Sequence, residues 1–99
     1  MLHIVNKSPA QTSALASCLR LAKDGQALLL TEDAVYAATP SMAATSGLAA
    51  AAKRLRVFVL QPDVQARGMA GKLVPEVKAI GYDGFVDLVA EHSNNQSWL

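Results

Sequence analysis

The chain has 99 residues, 52% of them hydrophobic but only 5% aromatic, and nine Lys and Arg stand against eight Asp and Glu for a net charge of +1. This length suits a single domain over residues 1–99, in which about 60 to 65% of the unfolded surface can be buried. With no basic block or stripe to neutralise several phosphates, direct nucleic-acid binding is not expected. One cysteine, Cys18, cannot form an internal disulfide, and Met1 to Lys7 is too short and too soon charged for a signal peptide, so the cytoplasm is the expected compartment. No apolar run approaches the roughly 18 to 20 residues of a membrane helix, and no membrane partner is expected.

In chain order, Met1 to Val5 predicts a first strand that breaks into the polar loop Asn6, Lys7, Ser8 and Pro9. His3 inside it reads as a sheet-face histidine with one nitrogen satisfied. The other histidine, His92, lies far away in sequence and offers no metal-ligand spacing, so no metal site is expected. Ser13 to Asp33 is the organising stretch. Leu15, Cys18, Leu19 and Ala22 fall at i, i+3, i+4 and i+7, one face of a helix, with Ser13 placed to cap it and Lys23, Asp24 and Gly25 placed to end it. Ala27 to Leu30 is a bounded apolar run, as in a strand buried on both faces of a parallel sheet.

Thr31, Glu32 and Asp33 lead into a short helix through Ala38, its acids in the first turn where the macrodipole favours them. They also sit with Asn6 and Lys7 at the carboxyl ends of strands, where open α/β sheets gather ligands. Pro40 begins an alanine-rich helix through Lys53 that Gly47 interrupts. Arg56 to Leu60 predicts a third strand. Gln61, Pro62 and Asp63 open a helix that Gly68 ends, with Arg67 complementing its C-terminus. After a loop from Gly71 to Glu76, Val77 to Ile80 predicts a fourth strand. Tyr82, Phe85, Val86 and Val89 form the apolar stripe of a last helix ending near His92, and Gln96 to Leu99 a short fifth strand. Alternating strands and helices predict an α/β fold with a mainly parallel sheet of about four to five strands and right-handed crossovers.

The chain carries no Walker loop, GxGxxG, HExxH, GxSxG or CxxC, and no cofactor is expected. Glu32 and Asp33 are adjacent and point in different directions, which does not suit paired-carboxylate catalysis. Cys18 is the candidate for chemistry, because a thiolate can attack a sulfur donor and hold the sulfur as a persulfide. Its position, mid-helix on an apolar stripe with no helix N-terminus to lower its pKa, suits a buried packing cysteine better. At an ordinary pKa of about 8.5 roughly 3% is thiolate at neutral pH, and burial reduces that further. At the other end, Trp98 and Leu99 follow a polar stretch, where a chain can dock on a partner or fold back on its own sheet.

Six segments in order, LHIVNKSP, SCLRLAKDG, LLLTEDAVYAA, VFVLQPDVQARG, YDGFVDLV and QSWL, resemble the DsrH family, called TusB in its tRNA-thiolation form. The resemblance implies a DsrE-like, three-layer α/β/α subunit of a cytoplasmic heterohexamer that relays sulfur. The implied companions are DsrE/TusD-like and DsrF/TusC-like subunits, with a DsrC/TusE-like carrier as exchange partner. The relay would serve 2-thiolation of the tRNA wobble uridine or oxidation of stored sulfur. It further implies that the main sulfur-accepting cysteine lies on the DsrE/TusD-like partner, with Cys18 matching the cysteine of DsrH-type members as a candidate persulfide carrier. Trp98 and Leu99 become candidate interface residues. Glu32, Asp33 and Arg67 fall in the shared segments without an implied role.

Overall fold

The computed structural model describes Met1 to Trp98; the interface expectation for Leu99 lies outside the described residues. Five strands, β1 (Leu2–Val5), β2 (Ala27–Leu30), β3 (Arg56–Leu60), β4 (Lys78–Ile80) and β5 (Asn95–Trp98), form one sheet in the order β4-β3-β2-β1-β5, with every neighbouring pair parallel. Central β2 is buried at all four positions, as its unbroken apolar run requires when both faces are covered. The edge strands are short and carry polar residues, Lys78 on one and Asn95, Gln96 and Ser97 on the other, which discourages pairing with further chains. The mainly parallel α/β expectation holds.

Between the strands run α1 (Ala14–Leu21), a 3₁₀ helix (Glu32–Ala38), α2 (Pro40–Ser46), α3 (Leu48–Ala51), α4 (Gln61–Ala66) and α5 (Tyr82–Glu91). Strand alternation divides the core. His3 and Val5 of β1, Leu28 and Leu30 of β2, and Val57 and Val59 of β3 share one face. There Val5, the β2 leucines and the β3 valines pack with Leu15, Cys18, Val35, Leu48 and Val64 of the covering helices. Leu2, Ala27 and Leu29 point to the other face, where Leu88 of α5 covers them, with Phe58, Ile80 and Phe85 beside it. The layers are therefore three, but unequal. Among the described residues no helix is long and apolar enough to cross a membrane.

Local signals differ from expectation at three places. α1 stops at Leu21, one turn before Gly25, and Ala22 is already extended. Its stop is made from a distance: the Arg54 guanidinium donates to the carbonyl oxygens of Leu19 at 2.6 Å and Ala22 at 2.8 Å, satisfying orphan acceptors and placing a cation at the helix's negative end. Gly25, at φ +84, makes the following turn, and its N–H donates to the Arg54 carbonyl. Ser13 makes no side-chain cap; the Thr12 hydroxyl accepts from the Ala14 N–H at 3.2 Å instead. Finally, the short helix after β2 keeps its acids in the first turn as expected, but it winds as a 3₁₀ helix. Gly47, at φ +87, ends α2 and separates it from α3, a break that its place in the alanine run predicted.

Candidate functional site

At the carboxyl edge of the sheet the chain leaves β2 at Thr31 and takes a positive φ of 49° at Glu32, a left-handed conformation that disfavours residues bearing a Cβ. A residue outside the turn holds it there: the Glu32 N–H donates to Asp63 Oδ2 at 2.7 Å, so the first turn of α4 grips the start of the 3₁₀ helix. Arg67 completes the arrangement. Its Nε–H donates to Asp33 Oδ1 at 2.8 Å, and its Nη1 donates to the Asp63 carbonyl at 3.3 Å. Gln11, from the loop after β1, donates to the other Asp33 oxygen at 3.2 Å.

The structure thus joins residues that the sequence placed apart. Arg67 does not merely complement its own helix end; it ties α4 to the 3₁₀ helix. Its hydrogen bond to Asp33 holds that carboxyl below the usual carboxylate range, with burial opposing and Gln11 and Lys7 assisting. In return Asp33 raises the Arg67 guanidinium above its ordinary value. Asp33 therefore stays an acceptor-only anion and is ill suited to giving a proton. Glu32 is exposed and makes no hydrogen bond through its carboxylate among the described residues. A cleft of about 540 Å³ lies beside this cluster and not over it, lined by Pro9, Gln11, Thr12, Leu15, Thr45 and Ser46 among others.

Cys18 lies on the inward face of α1 and is 0% exposed. Burial pushes its thiol up to about 11, only partly offset by the Arg54 charge that closes the same helix. At neutral pH the thiolate fraction is then roughly one part in ten thousand. The described fold seals the sulfur and keeps it protonated.

Trp98, at the end of β5, is half-buried against the α1 face of the sheet. Its indole N–H donates to His3 Nδ1 at 3.1 Å, and the two rings lie 6.1 Å apart between centroids. His3 is 5% exposed, and its Nε2 lies 2.7 Å from Gln26 Oε1. Both its nitrogens are engaged, not the one expected.

Periodicity had marked Arg54, Asp63, Gln11 and Gln26 for no such duty. Each acts across the fold, and Arg54 is 32 residues from the carbonyl of Ala22. No local signal marked them, because α1 already had a stop signal in Lys23, Asp24 and Gly25.

The matching family model, described as DsrH like protein, covers residues 7–95. The chain belongs to the DsrH/TusB family. Within that family it is 36% identical over 98 residues to Protein TusB of Escherichia coli O81 (strain ED1a), covering 99% of this chain and 100% of that one. The figures are the same for Protein TusB of Serratia proteamaculans (strain 568). In fold, the DsrH/TusB-family chain resembles the crystal structure of the ychN protein from E. coli, with a TM-score of 0.70 over 98% of this chain and 97% of that chain. At 17% identity this last likeness speaks for the fold alone.

Proposed function

We propose that this DsrH/TusB-family chain is a subunit of a cytoplasmic sulfur-relay complex, assembled with DsrE/TusD-like and DsrF/TusC-like chains and exchanging sulfur with a DsrC/TusE-like carrier. The observation that carries the reading is the family match along nearly the whole chain. Thiolation of the tRNA wobble uridine is the role favoured by the TusB relatives, and sulfur oxidation is the alternative outlet. The partly uncovered indole of Trp98 supports a partner contact at the C-terminal edge.

Persulfide on Cys18 is the finer reading. A thiolate would attack the terminal sulfur of a donor persulfide, forming a new sulfur–sulfur bond as the donor's breaks. The donor leaves as a thiolate, with no net oxidation. This requires the helix face carrying Cys18 to open, because the sulfur is sealed and protonated in the described fold. The second reading, a structural subunit whose DsrE/TusD-like partner accepts the sulfur, is favoured by that same burial.

Intact-mass spectrometry of the co-purified complex after incubation with a sulfur donor separates these readings. A subunit role predicts co-purification and a loss of transfer when this chain is omitted. A reducible gain of one sulfur on this chain, absent from Cys18→Ala, makes Cys18 a carrier. Loading on a partner alone, with equal transfer by both versions, makes the chain structural. If no partner co-purifies, the relay reading fails.

A further inference from the structure

β5 has a single apolar anchor. Asn95, Gln96 and Ser97 are exposed, and of its described residues only Trp98 turns into the fold, opposite Val5 of β1. The anchor hangs on one atom. An indole N–H can only donate, so His3 Nδ1 must be the unprotonated acceptor. The imidazole is then neutral with its proton on Nε2, which donates to Gln26 Oε1, an oxygen that also accepts the Lys23 backbone N–H at 2.9 Å. The resulting line runs from Trp98 through His3 to the turn between α1 and β2, and it fixes the tautomer without ambiguity.

We propose that His3 is a pH-operated latch on the C-terminal strand: neutral His3 holds Trp98, and protonated His3 releases it. A second ring proton must go to Nδ1, the position that the Trp98 N–H already occupies, while the Nε2–H bond to Gln26 survives. Protonation and the Trp98 bond therefore exclude one another. The latch is closed while His3 is neutral and opens when the ring takes up a proton.

The surroundings offer the imidazolium little relief. β2 carries only Ala27 to Leu30, and β5 only amides, a hydroxyl and the indole. From α1 and its following turn come Cys18, Arg20, Lys23 and Asp24, and the Met1 amino group lies two residues away along the chain. Among the described residues no carboxylate is ion-paired with His3.

Trp98 is the sole tryptophan, so its indole N–H gives one resolved signal in the ¹⁵N-labelled full-length chain. Titrating from pH 8 to pH 5 by NMR, we expect the indole proton to shift upfield with the same midpoint as the His3 ring nitrogens, and the Gln96 and Ser97 amides to follow. In His3→Gln, which keeps an acceptor that takes no proton, the indole signal should not respond. Should that variant fail to fold, Trp98→Phe serves instead, and its Gln96 and Ser97 amides should lose the response. The latch is overturned if the indole signal stays fixed while His3 titrates, if its response persists in His3→Gln, if the amide response persists in Trp98→Phe, or if His3 takes no proton before the chain unfolds.

Discussion

The two faces of the sheet are unequal. Among the described residues, eighteen buried ones on the α1 face join α1, the 3₁₀ helix, α2, α3 and α4 into one cluster that contains Cys18; on the other, three buried strand residues lie under Leu88 of α5. α5 shows the consequence. Phe85 and Leu88 turn inward, while Tyr82 and Val86, on the stripe expected to be core, are 61% and 64% exposed. A parallel sheet of apolar strands needs cover on both faces. Here one side of the molecule holds most of the buried apolar side chains, and the other leaves apolar helix surface in water.

Truncations test this difference most strongly. Leu28→Ala, in the larger cluster, is expected to cost about 3 kcal/mol in urea denaturation. Val86→Ser on the exposed side of α5 should stay within about 0.5 kcal/mol. Equal losses would break the comparison.

Cys18 sharpens it next. Cys18→Ser sets a hydroxyl in a sealed apolar site and should lose about 2 kcal/mol, more than Cys18→Ala. The same burial has a pH signature. Burial pushes the folded thiol up to about 11, well above an exposed thiol, so as pH rises past about 9 the unfolded chain gives up its proton while the folded chain keeps it. The contribution is complete below about pH 9 and is lost as pH rises, at about 1.4 kcal/mol per pH unit relative to Cys18→Ala. A flat difference between the two chains from pH 9 to 11 would mean that Cys18 is open to solvent.

Arg54→Met asks what holds α1 against the larger cluster. It removes donors from the Leu19 and Ala22 carbonyls and is expected to cost about 1 kcal/mol, with the last turn of α1 fraying in amide exchange while α5 is unaffected. The smallest effect belongs to Arg67→Met at the sheet's carboxyl edge, because a surface ion pair stabilises little. Arg67 lowers the folded Asp33 value, so the gap between wild type and variant should be present above about pH 4 and close as pH falls below it in denaturation series.

Much of this was legible because it is local. The apolar run at Ala27 to Leu30 predicted a strand buried on both faces, and Gly47 predicted the helix break, since burial on two faces and a left-handed turn each leave a mark on neighbouring residues. Expectation failed where a side chain acts across the fold. The sequence placed the stop of α1 at Gly25, but Arg54 ends the helix one turn earlier. Likewise, an arginine that looked like a helix-end charge proved to be the tie between Asp33 and α4.

By itself, then, the sequence determined the α/β alternation, the family and the apolar face on which Cys18 lies, because periodicity and chain-order motifs are written in residues a few positions apart. Only the tertiary structure decided that this face is sealed, that Tyr82 and Val86 are left in water, and that His3, Gln26 and Trp98 form one line. Burial and hydrogen-bond partners depend on which distant segments meet, and nothing in the local pattern specifies a contact between residues 3 and 98.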